Sequence, residues 1–308
     1  MSVPDYQSIM LPLLKITEDC REHRLNEVIE TLSSQFLLTD SDRKELLPSG
    51  RQPKFDNRVG WARTYLVKAG LLESTGRGKF RITERGLEVL RTNPNEINNR
   101  FLSQFPEFLE FKNRTSTQGA DDNDADLESL DRTPEEILDS THLSLRKSLA
   151  DELLERIKNC TPKFFERLVV DLLVAMGYGG SRVDAGQALG QSGDDGIDGM
   201  INEDRLGLDV IYLQAKRWEG TVGRPIVQAF AGSLEGQRAR KGILITTSRF
   251  SQDAKEYVTR IEKKIVLIDG EQLANLMIDF NVGVTEVTRY VIKKVDLDYF
   301  DEGGLLSE

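Results

Sequence analysis

Residues 190–218 read GQSGDDGIDGMINEDRLGLDVIYLQAKRW. A Gly/Asp-rich turn leads into a short apolar run at Ile197–Ile201, and a second run follows at Asp209–Ala215. Two strands bridged by a polar turn fit this pattern. Side chains alternate along a strand, so Tyr212, Gln214 and Lys216 share one face while Leu213 and Ala215 share the other. An amide oxygen and an ammonium thus stand two residues apart on one surface, beside a hairpin partner that can present Asp198. Phosphodiester hydrolysis uses these parts. A carboxylate and a second oxygen ligand hold Mg²⁺, and a lysine positions or activates water and offsets charge growing on phosphorus.

Three other readings of the stretch compete with this one. An EF-hand fails, because alignment on Asp194 puts Gly196 third and Arg205 where the bidentate Glu belongs. No GxxxxGK[ST] motif occurs, so no ATP-driven motor is implied. An ordinary Gly/Asp turn before a solvated strand face fits the spacing as well as a metal site does, and the residues alone leave both open.

Outward from this stretch, helices and strands alternate. A helix is predicted over Pro162–Met176, with Phe164, Phe165, Leu168, Val169, Leu172 and Met176 as its buried stripe. Further helices are predicted at Arg224–Arg238, Gln252–Glu262 and Gly270–Phe280, with strands at 242–248 and 265–269 between them. That order predicts an α/β fold: a mixed or parallel sheet flanked by helices. Thr246, Thr247 and Ser248 end a strand on its carboxyl side, where sites in such sheets gather. They are read as phosphate contacts or as the cap of the next helix. Gln228 and Phe230 are read as helix packing rather than cleft lining.

The amino-terminal part has a different rhythm. Helices are expected at Tyr6–Glu18, Leu25–Gln35 and Asn57–Ala69, the third stopped by Gly70. Val59, Ala62, Leu66 and Ala69 form its core face, and Asn57, Trp61, Thr64 and Lys68 its opposite face. Two short strands joined by a basic turn, Gly76–Lys79, and a closing helix from Glu84 to Arg91 complete the order of a winged helix-turn-helix. Residues 51–85 hold nine Lys/Arg against three Asp/Glu, although the whole chain has a net charge of −10. A local basic patch is what phosphate binding needs. Asn57, Arg58, Trp61, Thr64 and Lys68 on the third helix, with Arg77 and Lys79 on the wing, are therefore the expected DNA contacts. A winged helix used only for protein contacts is the other reading.

Residues 111–133, polar and rich in Asp, are expected to be a linker, since they hold too little apolar surface to fold alone. The expected organisation is a winged-helix domain at 1–110, this linker, an α/β domain at 134–300 and a tail at 301–308. Composition narrows the classes. With two Cys and two His among 308 residues, a disulfide framework, a cysteine zinc site, an HExxH protease and a multi-histidine nuclease are all disfavoured. There is no GxSxG elbow. No apolar run approaches the ~18 residues of a membrane span, and the start lacks a secretory pattern, so a cytoplasmic protein is expected.

Four blocks in order, FFERLVVDLLVAMGYGG (164–180), GDDGIDG (193–199), YLQAKRW (212–218) and GILITTSRFS (242–251), resemble the Mrr family of restriction endonucleases. That family is a branch of the PD-(D/E)xK nucleases in which Gln replaces the second acid. VGWARTYLVKAGLLES (59–74) and GKFRITERGLEVL (78–90) resemble its DNA-binding half, so nearly the whole chain is covered. The resemblance implies a restriction-endonuclease-like sheet, with Asp198 as metal-binding acid, Gln214 in the second acid's place and Lys216 as catalytic lysine. Glu166 corresponds to an acid on the first helix of that fold; a plain surface glutamate is the other reading. Asp194 and Asp195 receive no role. The implied activity is Mg²⁺-dependent cleavage of double-stranded, methylated DNA by a type IV restriction enzyme, with neither ATP nor a membrane. Cutting both strands further suggests a homodimer or higher assembly. The alternative is a DNA-binding protein that keeps the nuclease fold without cutting.

Overall fold

The structure, a computed structural model, describes residues 2–115, 131–179, 196–204, 207–293 and 295. Asp194, Asp195 and residues 116–130 of the expected linker lie outside the described residues. The chain divides into two compact units, the first reaching Ser144 and the second spanning Leu145–Ile292. No helix of the described residues is long and apolar enough to cross a membrane.

The first unit opens with α1 (Tyr6–Ile16), whose start is fixed by Asp5 accepting from the N–H groups of Gln7 and Ser8. Then come β1 (His23–Arg24), α2 (Leu25–Gln35), α3 (Asp40–Lys44) and α4 (Lys54–Lys68). The hairpin β2 (Leu72–Gly76) and β3 (Lys79–Ile82) leads to α5 (Glu84–Arg91), α6 (Asn99–Leu102) and α7 (Pro106–Thr115). The three strands pair antiparallel in the order β1-β3-β2. Ile9, Leu13 and Leu14 of α1, Leu32 of α2, Val59, Ala62 and Leu66 of α4 and Phe80 of β3 are fully buried in one core. The apolar spacing of the third helix therefore predicts its core face, while the helix begins a turn earlier than expected. Gly70 ends it with φ +71°, a left-handed conformation that glycine takes without a Cβ penalty.

Helix α8 (Pro134–Asn159) contains the division between the units. The second unit continues with α9 (Pro162–Ala175), β4 (Gly199–Asn202), β5 (Val210–Lys216), α10 (Arg224–Gly236), β6 (Lys241–Thr246), α11 (Gln252–Thr259), β7 (Lys264–Ile268) and α12 (Gly270–Asp279). The sheet order is β4-β5-β6-β7. β4 runs antiparallel to β5, while β5, β6 and β7 are mutually parallel through crossover helices. The sheet is mixed and flanked by helices, as the alternation predicts.

Alternation along the strands separates two cores. Ile211, Leu213, Ile243, Ile245 and Ile268 pack with α8, α9 and α12, whereas Leu244, Ile265 and the half-buried Tyr212 pack with α10 and α11. One part of the predicted α9 stripe is corrected. Phe164 is 55% exposed, and Val170 and Leu173 are buried instead. The buried face is rotated so that Phe165, Leu168, Val169 and Leu172 lie at its centre.

Candidate active site

The site forms where β4 begins and β5 ends. Asp198 stands one residue before β4, and its backbone N–H donates to the Leu213 carbonyl at 2.9 Å. The Ala215 N–H in turn donates to Asp198 Oδ2 at 2.7 Å, so the carboxylate continues the β4–β5 ladder with its side chain. The carboxyl is thereby held between Gln214 and Lys216 in sequence. Gln214 pairs in register with Leu244 and Lys216 with Thr246, so both project from the sheet toward the α10 face. Gln214 is 5% exposed, and its Nε2 donates to the Gly196 carbonyl.

Electrostatics tie these groups together. Burial raises the Asp198 carboxyl above its ordinary range; the Ala215 hydrogen bond and the Lys216 charge pull the other way. Burial also raises the Glu166 carboxyl on α9, and the Asp198 charge raises it further, so the two carboxyls sense one another. Asp198, Gln214 and Lys216 thus stand together where β4 begins and β5 ends, and Glu166 on α9 senses the Asp198 charge. Among the described residues, no cluster of three or more His, Cys, Asp and Glu side chains could hold a metal ion. Asp198 and Gln214, among the described residues, bring side-chain oxygens to this strand end. Among the described residues, Asp198 Oδ1 and Gln214 Oε1 take no hydrogen bond, which leaves two hard oxygens of the kind Mg²⁺ prefers.

The strand end is secured by a residue whose role the sequence did not reveal. Thr247 is 1% exposed; its hydroxyl accepts from the Trp218 N–H and donates to the Trp218 carbonyl, each at 3.0 Å. The Trp218 ring lies under the Lys216 ammonium, with Nζ 5.7 Å from the ring centroid. In the sequence, the run of hydroxyls after β6 is the signal that points to it. The expected helix cap is supplied instead by Ser251, which accepts from the Ala254 N–H at the start of α11.

In the first unit the expected DNA-facing set divides. Asn57 and Arg58 are 5% and 8% exposed, which corrects the expectation that they face outward. Arg58 makes a two-pronged ion pair with Glu136, at 2.7 and 2.8 Å, and donates to the carbonyls of Val3 and Pro4. Asn57 Oδ1 accepts from Thr133, and Trp61 Nε1 donates to Glu135. Thr64 is half-buried, with its hydroxyl donating to the Gly60 carbonyl at 2.9 Å. Sequence periodicity placed these residues off the core face of α4; it could not show that the start of α8 covers them. Lys68 is exposed beside Phe111, Arg77 is exposed in the turn between β2 and β3, and Lys79 pairs with Glu22 at 2.7 Å.

Residues 157–277 match the family described as restriction endonuclease, and residues 6–92 match the Mrr N-terminal domain. The chain belongs to the Mrr family of restriction endonucleases. It is 38% identical over 308 residues, 98% of this chain and 100% of the relative, to the type IV methyl-directed restriction enzyme EcoKMrr of Escherichia coli (strain K12). Two solved structures bear a weaker likeness. MspJI in complex with a 27-mer oligonucleotide matches with TM-score 0.31 and 18% identity over 65% of this chain and 47% of that one. The DNA modification-dependent restriction endonuclease AspBHI matches with TM-score 0.33 and 18% identity over 70% and 56%. As a member of the Mrr family, the chain is a DNA-cleaving enzyme of the type IV restriction class.

Proposed function

We propose that this Mrr-family enzyme cuts methylated double-stranded DNA in the cytoplasm with Mg²⁺ held by Asp198 and Gln214. The observation that carries the reading is the Ala215–Asp198 hydrogen bond of 2.7 Å, which fixes a carboxylate beside Gln214 and Lys216. Methylation dependence rests on the likeness to a methyl-directed relative across the full chain.

Bound Mg²⁺ would polarise the scissile phosphate and lower the pKa of a bound water. Asp198 Oδ1 and Gln214 Oε1 are the holding atoms, and Glu166 lies near enough to sense the Asp198 charge. The Lys216 ammonium orients the attacking water and offsets the charge that builds on phosphorus. Water attacks in line, a P–O bond forms on one side, and the leaving oxygen departs on the other. The proposed organisation assigns DNA binding to residues 1–110 and cleavage to 134–300, joined by 111–133. The exposed side chains of Lys68 and Arg77 are the proposed phosphate contacts of the first. Cutting both strands calls for two copies of the site, and a homodimer or larger assembly provides them.

The test is cleavage of methylated and unmethylated copies of one plasmid, each with Mg²⁺ and with EDTA. Cutting of the methylated plasmid in Mg²⁺ alone is expected. DNA binding without cutting of either plasmid in Mg²⁺ would replace this reading with that of a non-cleaving DNA-binding protein.

A further inference from the structure

Gln214 is nearly buried, and its amide is oriented by the backbone: Nε2 donates to the Gly196 carbonyl oxygen. Gly196 reaches this position with φ +74°, and a Cβ on it would lie 3.2 Å from Nε2 and 3.4 Å from Ser233 Oγ. The nitrogen end of the amide therefore faces the turn and the oxygen end faces away from it. Two residues on, the Asp198 N–H is tied to the Leu213 carbonyl at 2.9 Å, and the Asp198 carboxylate to the Ala215 N–H at 2.7 Å. The turn and β5 are thus laced together at 196–214, 198–213 and 198–215.

We propose that the Gly196 carbonyl is a positioning group that makes this site specific for an amide at 214, so that an acid there weakens the site. Both oxygens of a carboxylate are acceptors. One would point at the Gly196 carbonyl with no hydrogen between them, in a place only 5% exposed. A buried acceptor with no donor is costly, and two facing acceptors more so. The added negative charge, which alone would strengthen metal binding, is spent against the carbonyl dipole or swings the side chain off its position. The glutamine is on this account an adapted ligand. The metal-holding part of the inference rests on the nuclease reading; the Gly196–Gln214 pairing does not.

The experiment compares full-length wild type, Gln214→Glu, Gln214→Met and Asp198→Ala. Thermal unfolding is followed in EDTA, Mg²⁺ binding by calorimetry, and plasmid nicking as kcat and KM. In EDTA, Gln214→Glu at pH 8 is expected to unfold at a lower temperature than Gln214→Met, which removes the hydrogen bond without adding a second acceptor. Its Mg²⁺ affinity is expected to be no tighter than that of wild type. Its kcat is expected to fall at least tenfold with KM for DNA within about twofold. Gln214→Glu that matches wild type in stability and binds Mg²⁺ more tightly overturns the proposal. Gln214→Glu that unfolds together with Gln214→Met overturns it too, because the carbonyl would then not distinguish an acid from an apolar side chain. Asp198→Ala that binds Mg²⁺ as wild type does would instead sink the metal-site reading, and the EDTA comparison would still decide the pairing.

Discussion

Asp198 and Glu166 sit in the fold with carboxyl groups raised above their ordinary values, Asp198 by burial and Glu166 by burial and the Asp198 charge. A raised folded pKa favours the protonated acid in the native state. Such a group supports the fold most fully below its unfolded value, 3.8 for Asp198, and loses that support as pH rises through the folded value. Asp198→Asn removes the buried charge while keeping an acceptor for the Ala215 N–H. At pH 8 in EDTA it is expected to raise the unfolding temperature by on the order of 2 °C while abolishing cleavage. A lowered unfolding temperature would contradict this balance of burial against charge. Protons also compete with metal for Asp198, so Mg²⁺ affinity measured by calorimetry is expected to fall on acidification from a pH above the ordinary aspartate range. At Arg58 a different balance holds. Its side chain and that of Glu136 are 10% and 6% exposed, so removing one partner strands a buried charge. Arg58→Met is expected to cost about 3–5 kcal/mol, and Arg58→Met with Glu136→Met markedly less. Denaturant unfolding of both singles and the double checks this, and additive losses would show that the two are not coupled.

At the scale of elements, the site depends on how two parallel strands end. β5 stops at Lys216 and β6 at Thr246, and the Thr247 hydroxyl carries the pairing one step further onto Trp218. Thr247→Val keeps the shape and removes both hydrogen bonds, each contributing about 1 kcal/mol. The expected result is kcat lowered roughly tenfold, DNA affinity unchanged, and recovery in Thr247→Ser; failure of the serine variant to recover would assign the threonine to packing alone. The long elements were legible because their periodicity is strong: α2 spans Leu25–Gln35 as its pattern predicts, and β5 presents Gln214 and Lys216 on one face. β1, with two residues, and α3 and α6, with five and four, are too short to show a period. Spacing puts Asp198, Gln214 and Lys216 near one another, and the family pattern is what adds Glu166. Neither shows what Thr247 and the Gly196 carbonyl do, since their roles arise only from interactions made across the sheet and turn.

At the scale of the whole molecule, charge along the sequence differs from charge in space. Four of the nine bases at 51–85 are met by acids from outside the run: Lys54 pairs with Glu45, Arg58 with Glu136, Lys79 with Glu22 and Arg85 with Glu107. Lys68 and Arg77 are exposed in the first unit and are the proposed phosphate contacts. Lys68→Ala with Arg77→Ala is expected to reduce the slope of log affinity against log salt by about 1.8, near 0.9 for each phosphate no longer neutralised. An unchanged slope in a filter-binding or anisotropy titration would place the phosphate-binding side chains elsewhere. The two matched family regions, 157–277 and 6–92, cover the strand-end site and most of the first unit's helices and hairpin separately. Chemistry at the strand-end site is tested most directly by single-turnover cleavage of methylated plasmid in Mg²⁺. Wild type, Asp198→Ala and Lys216→Ala are compared, with DNA affinity measured alongside. Both variants are expected to bind DNA within about twofold of wild type and to cut it at least a thousandfold more slowly. Cleavage by either variant at the wild-type rate would show that the chemistry is done at another place in the chain.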